Sequence, residues 1–146
     1  MYEHKIYEKL IVAIFTDEIT LEDVEIFSGD IENITHGSND YFLIALPVAV
    51  TKYPSNIADL LKAASHLREA SGTVVRFYTT ELSPVMTFMS KIITQIIGIK
   101  TKTITARDYD SLFEIIRHDT QAFPNLVSSV EHLDAIREYI SNFEKA

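Results

Sequence analysis

The apolar pattern switches between a period of two and a period of about 3.6 residues along the chain, and each switch marks an element. Residues 2–7 alternate, and residues 10–15, LIVAIF, are apolar without a break, as in a strand covered on both faces. Glu8 and Lys9 between them form either a two-residue hairpin turn or the middle of one long strand, because the pair lacks the Gly or Asn that a tight hairpin prefers. Thr20 is expected to cap a first helix, with Glu22 and Asp23 at its positive end and Val24, Phe27, Ile31 and Ile34 along one buried stripe. His36 and Gly37 close that helix. Residues 41–50, YFLIALPVAV, are too apolar for a half-wet strand and belong centrally in a sheet. Pro47 donates nothing to a ladder, so a bulge or the strand's end is expected near it.

Residues 52–55 read as a loop into a second helix capped by Ser55, with Ile57, Leu60, Leu61, Ala64 and Leu67 on one face and Ser71-Gly72 as its stop. Residues 73–79, TVVRFYT, are a third strand region. Ser83-Pro84 starts a third helix that runs to Gly98, because Pro at the first helical position loses no bond the helix needs. Residues 99–105 alternate and carry Lys100 and Lys102, which suits a guarded edge strand. A fourth helix opens over residues 105–108 and turns Tyr109, Leu112, Phe113 and Ile116 inward. Phe123-Pro124 breaks the chain, and Ser128 with Glu131 sets a capping box for a last helix bearing Leu133, Ile136, Ile140 and Phe143. Strand and helix regions thus alternate, with helices of crossover length. The expectation is an α/β domain with a mixed, mostly parallel sheet over residues 1–118, and a C-terminal helical extension, residues 119–146, packed on the same domain.

The chain has 146 residues, enough for one core that buries roughly 68 to 70% of the unfolded surface. With no Cys, disulfides, thiolate nucleophiles and Cys-ligated metal centres drop out together, and a reducing compartment fits. The first ten residues mix Glu3, His4, Lys5, Glu8 and Lys9 with apolar positions, unlike a signal peptide, and no apolar run has the length of a membrane span. A cytoplasmic location is expected.

The formal net charge of -8 argues against nucleic acid as a partner. Its distribution is uneven. Between Lys9 and Lys52 there is no Lys or Arg, while Asp17, Glu18, Glu22, Asp23, Glu25, Asp30, Glu32 and Asp40 all fall there. The remaining 13 acids are matched by the 13 bases, so the whole surplus belongs to the first helix and its flanking loops. It is either a solvated acidic face or a docking surface that steers a basic protein partner. No D-x-D-x-D-G loop or closely spaced His pair focuses these carboxylates on a metal.

Val85, Met86, Phe88, Met89, Ile92, Ile93, Ile96 and Ile97 would span about 180° of the third helix, where an ordinary surface helix needs about 100°. Either the C-terminal helix covers the excess, or Met86, Phe88, Met89, Ile92, Ile93 and Ile96 form a homodimer surface or the mouth of an apolar ligand pocket.

Catalytic signatures are missing. Gly29, Gly37, Gly72 and Gly98 cannot be arranged into G-x-G-x-x-G or a P-loop, and no G-x-S-x-G occurs. His4, His36, His66, His118 and His132 never stand four apart, and His118-Asp119 is a simple neighbour pair. Structural roles are expected for them, with no catalytic residue, no metal and no cofactor. Ser55, at a helix start, is either a cap or a hydroxyl placed where a phosphate would be electrostatically comfortable.

The order of elements, together with LPVAVTKYPSNIADLLKAA at residues 46–64 and YEKLIVAIFTDEITLEDVEIF at residues 7–27, resembles the STAS domains, the anti-sigma-factor antagonists and their SpoIIAA-like relatives. Those proteins carry a strand ending in Asp-hydrophobic-Ser-x-Val, three residues, then Asp-Ser-Ser-Gly and a helix. Aligned on Val50, Leu46 and Pro54 stand in place of the two acids, Ser55 and Asn56 in place of the paired serines, and Ile57 in place of the glycine. The serine that such regulators phosphorylate therefore corresponds to Asn56. The resemblance implies a non-enzymatic, protein-binding regulatory module without the usual phosphorylation switch. Its partner would dock on Tyr53, Pro54, Ser55 and Asn56, with Glu22 and Glu25 steering. The competing expectation is a carrier of an apolar small molecule or lipid, held in a cavity under the third helix.

Overall fold

The computed structural model describes residues 1–68, 74–80 and 102–144. A five-stranded sheet runs in the order β1 (Tyr2–Tyr7), β2 (Leu10–Glu18), β3 (Tyr41–Lys52), β4 (Val74–Thr80), β5 (Lys102–Ala106). β1 is antiparallel to β2, and every later pair is parallel. Helices α1 (Leu21–Thr35), α2 (Ile57–Ala63), α3 (Tyr109–Asp119), α4 (Val127–Val130) and α5 (Leu133–Glu144) complete the described elements, with short 3₁₀ turns at Ser65–Arg68 and Pro124–Leu126. The α/β architecture with a mostly parallel sheet matches the sequence pattern. The segment expected as the third helix, with Met86, Phe88, Met89, Ile92, Ile93 and Ile96, lies outside the described residues.

The first two strands form the hairpin, closed by Tyr7 facing Leu10, and Glu8 takes a positive φ of 57° to make the turn without glycine. Alternation in β2 sends Ile11, Ala13 and Phe15 to one face and Leu10, Val12 and Ile14 to the other. The first face packs on Val24, Phe27 and Ile31 of α1 and on Leu60, Ala64 and Leu67. The second packs on Leu112, Phe113 and Ile116 of α3 and on Leu126, Leu133, Ile136 and Ile140. Being covered on both sides is what requires the unbroken apolar runs of β2 and β3. Strands that follow one another in sheet order through right-handed connections put their crossover helices on one face, so α1 and α2 share a side and the C-terminal helices cover the other.

Pro47 lies inside β3, opposite Phe15. The Phe42 amide donates to the Lys9 carbonyl at 2.8 Å. Alternation therefore turns the amide side of Pro47 toward β4, whose ladder with β3 ends at Ile44 and Tyr78, and no ladder bond is lost. The expected bulge follows two residues later: Thr16 faces Val48 and Asp17 faces Val50, which leaves Ala49 extra at a φ of 54°.

Two capping expectations need correction. α2 is capped by Asn56, whose Oδ1 accepts from the Asp59 amide at 3.1 Å, and Ser55 sits one residue too early. Ser128 and Glu131 form no capping box, because the last helical region is split into the single turn of α4, which contains Ser128 and ends at Val130 with Glu131 as its C-cap, and α5, which begins at Leu133. The break follows from what the turn must reach. Leu126 and Ser129 are fully buried, and Ser129 Oγ accepts the Lys9 amide of the hairpin turn at 3.2 Å.

Candidate partner-binding surface at the carboxyl end of the sheet

The parallel strands end together, and the β2–α1 and β3–α2 connections leave from that end. The Ile19 amide donates to the Lys52 carbonyl at 2.9 Å, and Thr51 Oγ1 donates to the Asp17 carbonyl at 3.2 Å. These two bonds fasten the start of α1 to the end of β3. α1 opens on a full capping box, in which Thr20 Oγ1 accepts from the Asp23 amide at 3.1 Å and the Thr20 amide donates to Asp23 Oδ2 at 3.0 Å. Glu22 and Glu25 are thereby held on the exposed side of the first turns.

A groove of about 420 Å³ lies between the two helices, lined by Leu21 and Glu25 of α1 and by Asp59, Lys62, Ala63 and Ser65. Ile57, at the start of α2, is 52% exposed, Tyr53 41% and Leu21 37%. Pro54 is half-buried, and Ser55 and Asn56 are exposed. Asn56 spends its carbonyl oxygen on the cap, while the Ser55 hydroxyl stays outside it. Thus Glu25 and α2 share one groove, and Glu22 and the 53–56 loop border the same end of the sheet.

Ion pairing divides the eight acids of the Lys9–Lys52 stretch in two. Asp30 accepts from the Tyr2 hydroxyl at 3.1 Å and lies 3.4 Å from His4 Nδ1. Glu32 lies 2.5 Å from His66 Nδ1, Asp40 3.3 Å from Lys9 Nζ, and Asp23 belongs to the cap. Asp17, Glu18, Glu22 and Glu25 are exposed and carry no ion pair among the described residues. All four sit where β2 ends and α1 begins. Lys52, in register with Glu18, and Lys62 mark the basic margin of this patch.

A second groove, between α3 and α5, is lined by Asp110, Phe113, Arg137, Ile140 and Ser141. Its charges are already spent on each other: Arg137 Nη1 lies 2.6 Å from Asp110 Oδ1, and the guanidinium sits 4.6 Å from the centre of the Phe113 ring. At its rim the Ser111 amide holds the Asp108 carboxyl below the usual carboxylate range while capping α3. On the same face of the sheet, buried Tyr78 forms a network with the largely buried Asp119 and Arg76, its hydroxyl donating to Asp119 Oδ2 at 2.6 Å and Arg76 Nη1 lying 3.7 Å from the same oxygen. Sequence reasoning missed this network because its members are separated by about forty positions and meet only through the packing of α3 on β4.

His4, His66 and His132 face Asp30, Glu32 and Glu8, each tying two elements together. Among the described residues no three His, Asp or Glu side chains converge on a point that could hold a metal ion. None of the described helices is long and apolar enough to cross a membrane. Compared with protein-family models, curated proteins and solved structures, the chain matches none.

Proposed function

We propose that this chain is a non-enzymatic regulatory module that docks a basic protein partner at the carboxyl end of its sheet. The observation that carries the reading is the separation of the acids: the four exposed carboxylates left without ion pairs, Asp17, Glu18, Glu22 and Glu25, gather beside exposed Tyr53, Leu21 and Ile57. Unspent charge speeds encounter with an oppositely charged surface, and exposed aromatic and aliphatic side chains supply the apolar contact that retains it. The α/β layering suits the STAS-like resemblance of residues 46–64. The binding role passes to the loop around Tyr53, Pro54, Ser55 and Asn56 without a phosphorylatable serine at position 56. A chain without cysteine suits a reducing compartment, and the cytoplasm is part of the same reading.

Affinity capture from cell extract with the wild-type chain, a Glu22→Lys/Glu25→Lys variant and a Tyr53→Ala variant tests it. A control carries charge reversals at Asp134 and Glu138 on α5. The expected result is a captured protein whose retention falls with added salt and is lost in the first two variants but kept in the control. Equal capture by all four proteins contradicts the proposal.

A further inference from the structure

The outer edge of β1 has no pairing strand among the described residues. The Thr16 amide donates to the Met1 carbonyl at 2.8 Å, which fixes the phase of the hairpin ladder. By alternation Glu3, Lys5 and Tyr7 turn their amides and carbonyls toward β2, and Tyr2, His4 and Ile6 turn theirs outward. Ile6 is an apolar residue left 43% exposed on this edge, and Glu3 and Lys5 are exposed as well.

We propose that this edge pairs with the same edge of a second copy of the chain, antiparallel about a twofold axis at His4, so that two five-stranded sheets join into one. Residues directly opposite across an antiparallel pair must share a face, so Glu3, Lys5 and Tyr7 oppose one another and Tyr2, His4 and Ile6 do likewise. That restricts the symmetric registers. Centring on Glu3 sets Glu3 against Glu3, and centring on Lys5 sets Lys5 against Lys5, each with like charges opposed. Centring on His4 sets Glu3 against Lys5 at both symmetry-related places. These are non-hydrogen-bonded pairs, whose Cα atoms approach to about 4.5 Å, the closer of the two spacings. In this register Tyr2 faces Ile6 of the second copy and His4 faces His4, so every outward amide and carbonyl of the three residues finds a partner. Ile6 is covered in the same step. Charge, hydrogen bonding and burial therefore select one register.

A lysine on a free edge ordinarily discourages pairing. Here Lys5 discourages the register that sets it against itself and favours the one that offers it Glu3. An edge of this length buries little area, so the dimer is expected to be weak and concentration-dependent.

Sedimentation equilibrium over a broad concentration range, with amide hydrogen exchange on the same samples, tests the proposal. The wild-type chain is expected to dimerise reversibly, and the amides of Tyr2, His4 and Ile6 should gain protection as concentration rises. Glu3→Lys and Lys5→Glu should each weaken self-association about tenfold or more. An equimolar mixture of the two variants should associate again. One copy then offers lysine at both positions and the other glutamate at both, so each cross-strand pair regains opposite charges. Both positions are exposed, and circular dichroism confirms that each variant is folded. A wild-type chain that stays monomeric, a dimer indifferent to both substitutions, or variants that fail to recombine overturns the proposal.

Discussion

The Tyr78 hydroxyl donates to Asp119 Oδ2 at 2.6 Å, joining the centre of β4 to the last turn of α3. Tyr78 is fully buried, and Arg76 stands 3.7 Å from the same carboxylate oxygen while its guanidinium lies 4.7 Å from the centre of the Phe123 ring. Tyr78→Phe keeps the shape and removes one hydrogen bond to a charged acceptor, so a loss of about 1.5–3 kcal/mol is expected in chemical denaturation. Asp119→Ala should cost more, because it leaves both the Tyr78 hydroxyl and Arg76 without their partner. Urea midpoints of the two variants and the wild type check the order.

Alkaline pH should destabilise the fold through specific tyrosines. Burial first, then hydrogen bonding and charge from Asp119, push the Tyr78 phenol far above its ordinary range. Burial and Asp30 do the same to Tyr2, and burial and Glu3 to Tyr139. A group whose pKa is raised by folding contributes stability that is complete below the unfolded value and declines above it. Stability should therefore hold up to about pH 10 and fall beyond it. Tyrosinate absorbance should show these three of the seven tyrosines ionising only as the chain unfolds.

The cap positions distinguish Ser55 from Asn56. Asn56→Ala removes the acceptor of the Asp59 amide and should cost about 1 kcal/mol, as should Thr20→Ala in the capping box of α1. Ser55→Ala, one residue before the cap, should stay within about 0.5 kcal/mol of the wild type. Thermal melts of the three variants provide the check.

Three non-glycine residues occupy the left-handed region: Glu8 in the hairpin turn at φ 57°, Asp17 near the end of β2 at φ 56° and Ala49 in the β3 bulge at φ 54°. An L side chain there costs about 1–2 kcal/mol, against about 0.5–1 kcal/mol of extra chain entropy for glycine. Glu8→Gly and Ala49→Gly should each raise stability by about 0.5–1 kcal/mol, measurable as a higher denaturant midpoint. A loss of stability in both would show that neither turn is under strain.

The layered fold was legible because burial on both faces of β2 and β3 leaves a direct imprint, the uninterrupted runs LIVAIF and YFLIALPVAV. The caps at Thr20 and the stop at Gly37 were legible because both depend on a few neighbouring residues. What local pattern could not convey was competition from far along the chain. Ser128 and Glu131 have the spacing of a capping box, but the adjacent Ser129 is drawn to the Lys9 amide, 120 positions away, and the helix breaks. Ser55 and Asn56 are both good capping residues, and only the geometry of the β3–α2 loop chooses between them. For the candidate site, sequence located the acidic stretch but could not divide it. Asp30, Glu32 and Asp40 look like Glu22 and Glu25 until His4, His66 and Lys9 are brought to them by the fold.

That division is also what the functional reading depends on. Zero-length carbodiimide crosslinking, which joins carboxylates to partner lysines, followed by peptide mapping of the complex captured from cell extract, tests it most directly. The expected crosslinks lie at Asp17, Glu18, Glu22 and Glu25, at the carboxyl end of the sheet. Crosslinks confined to Asp134, Glu138 or Asp110, on the α3 and α5 side, would contradict the account.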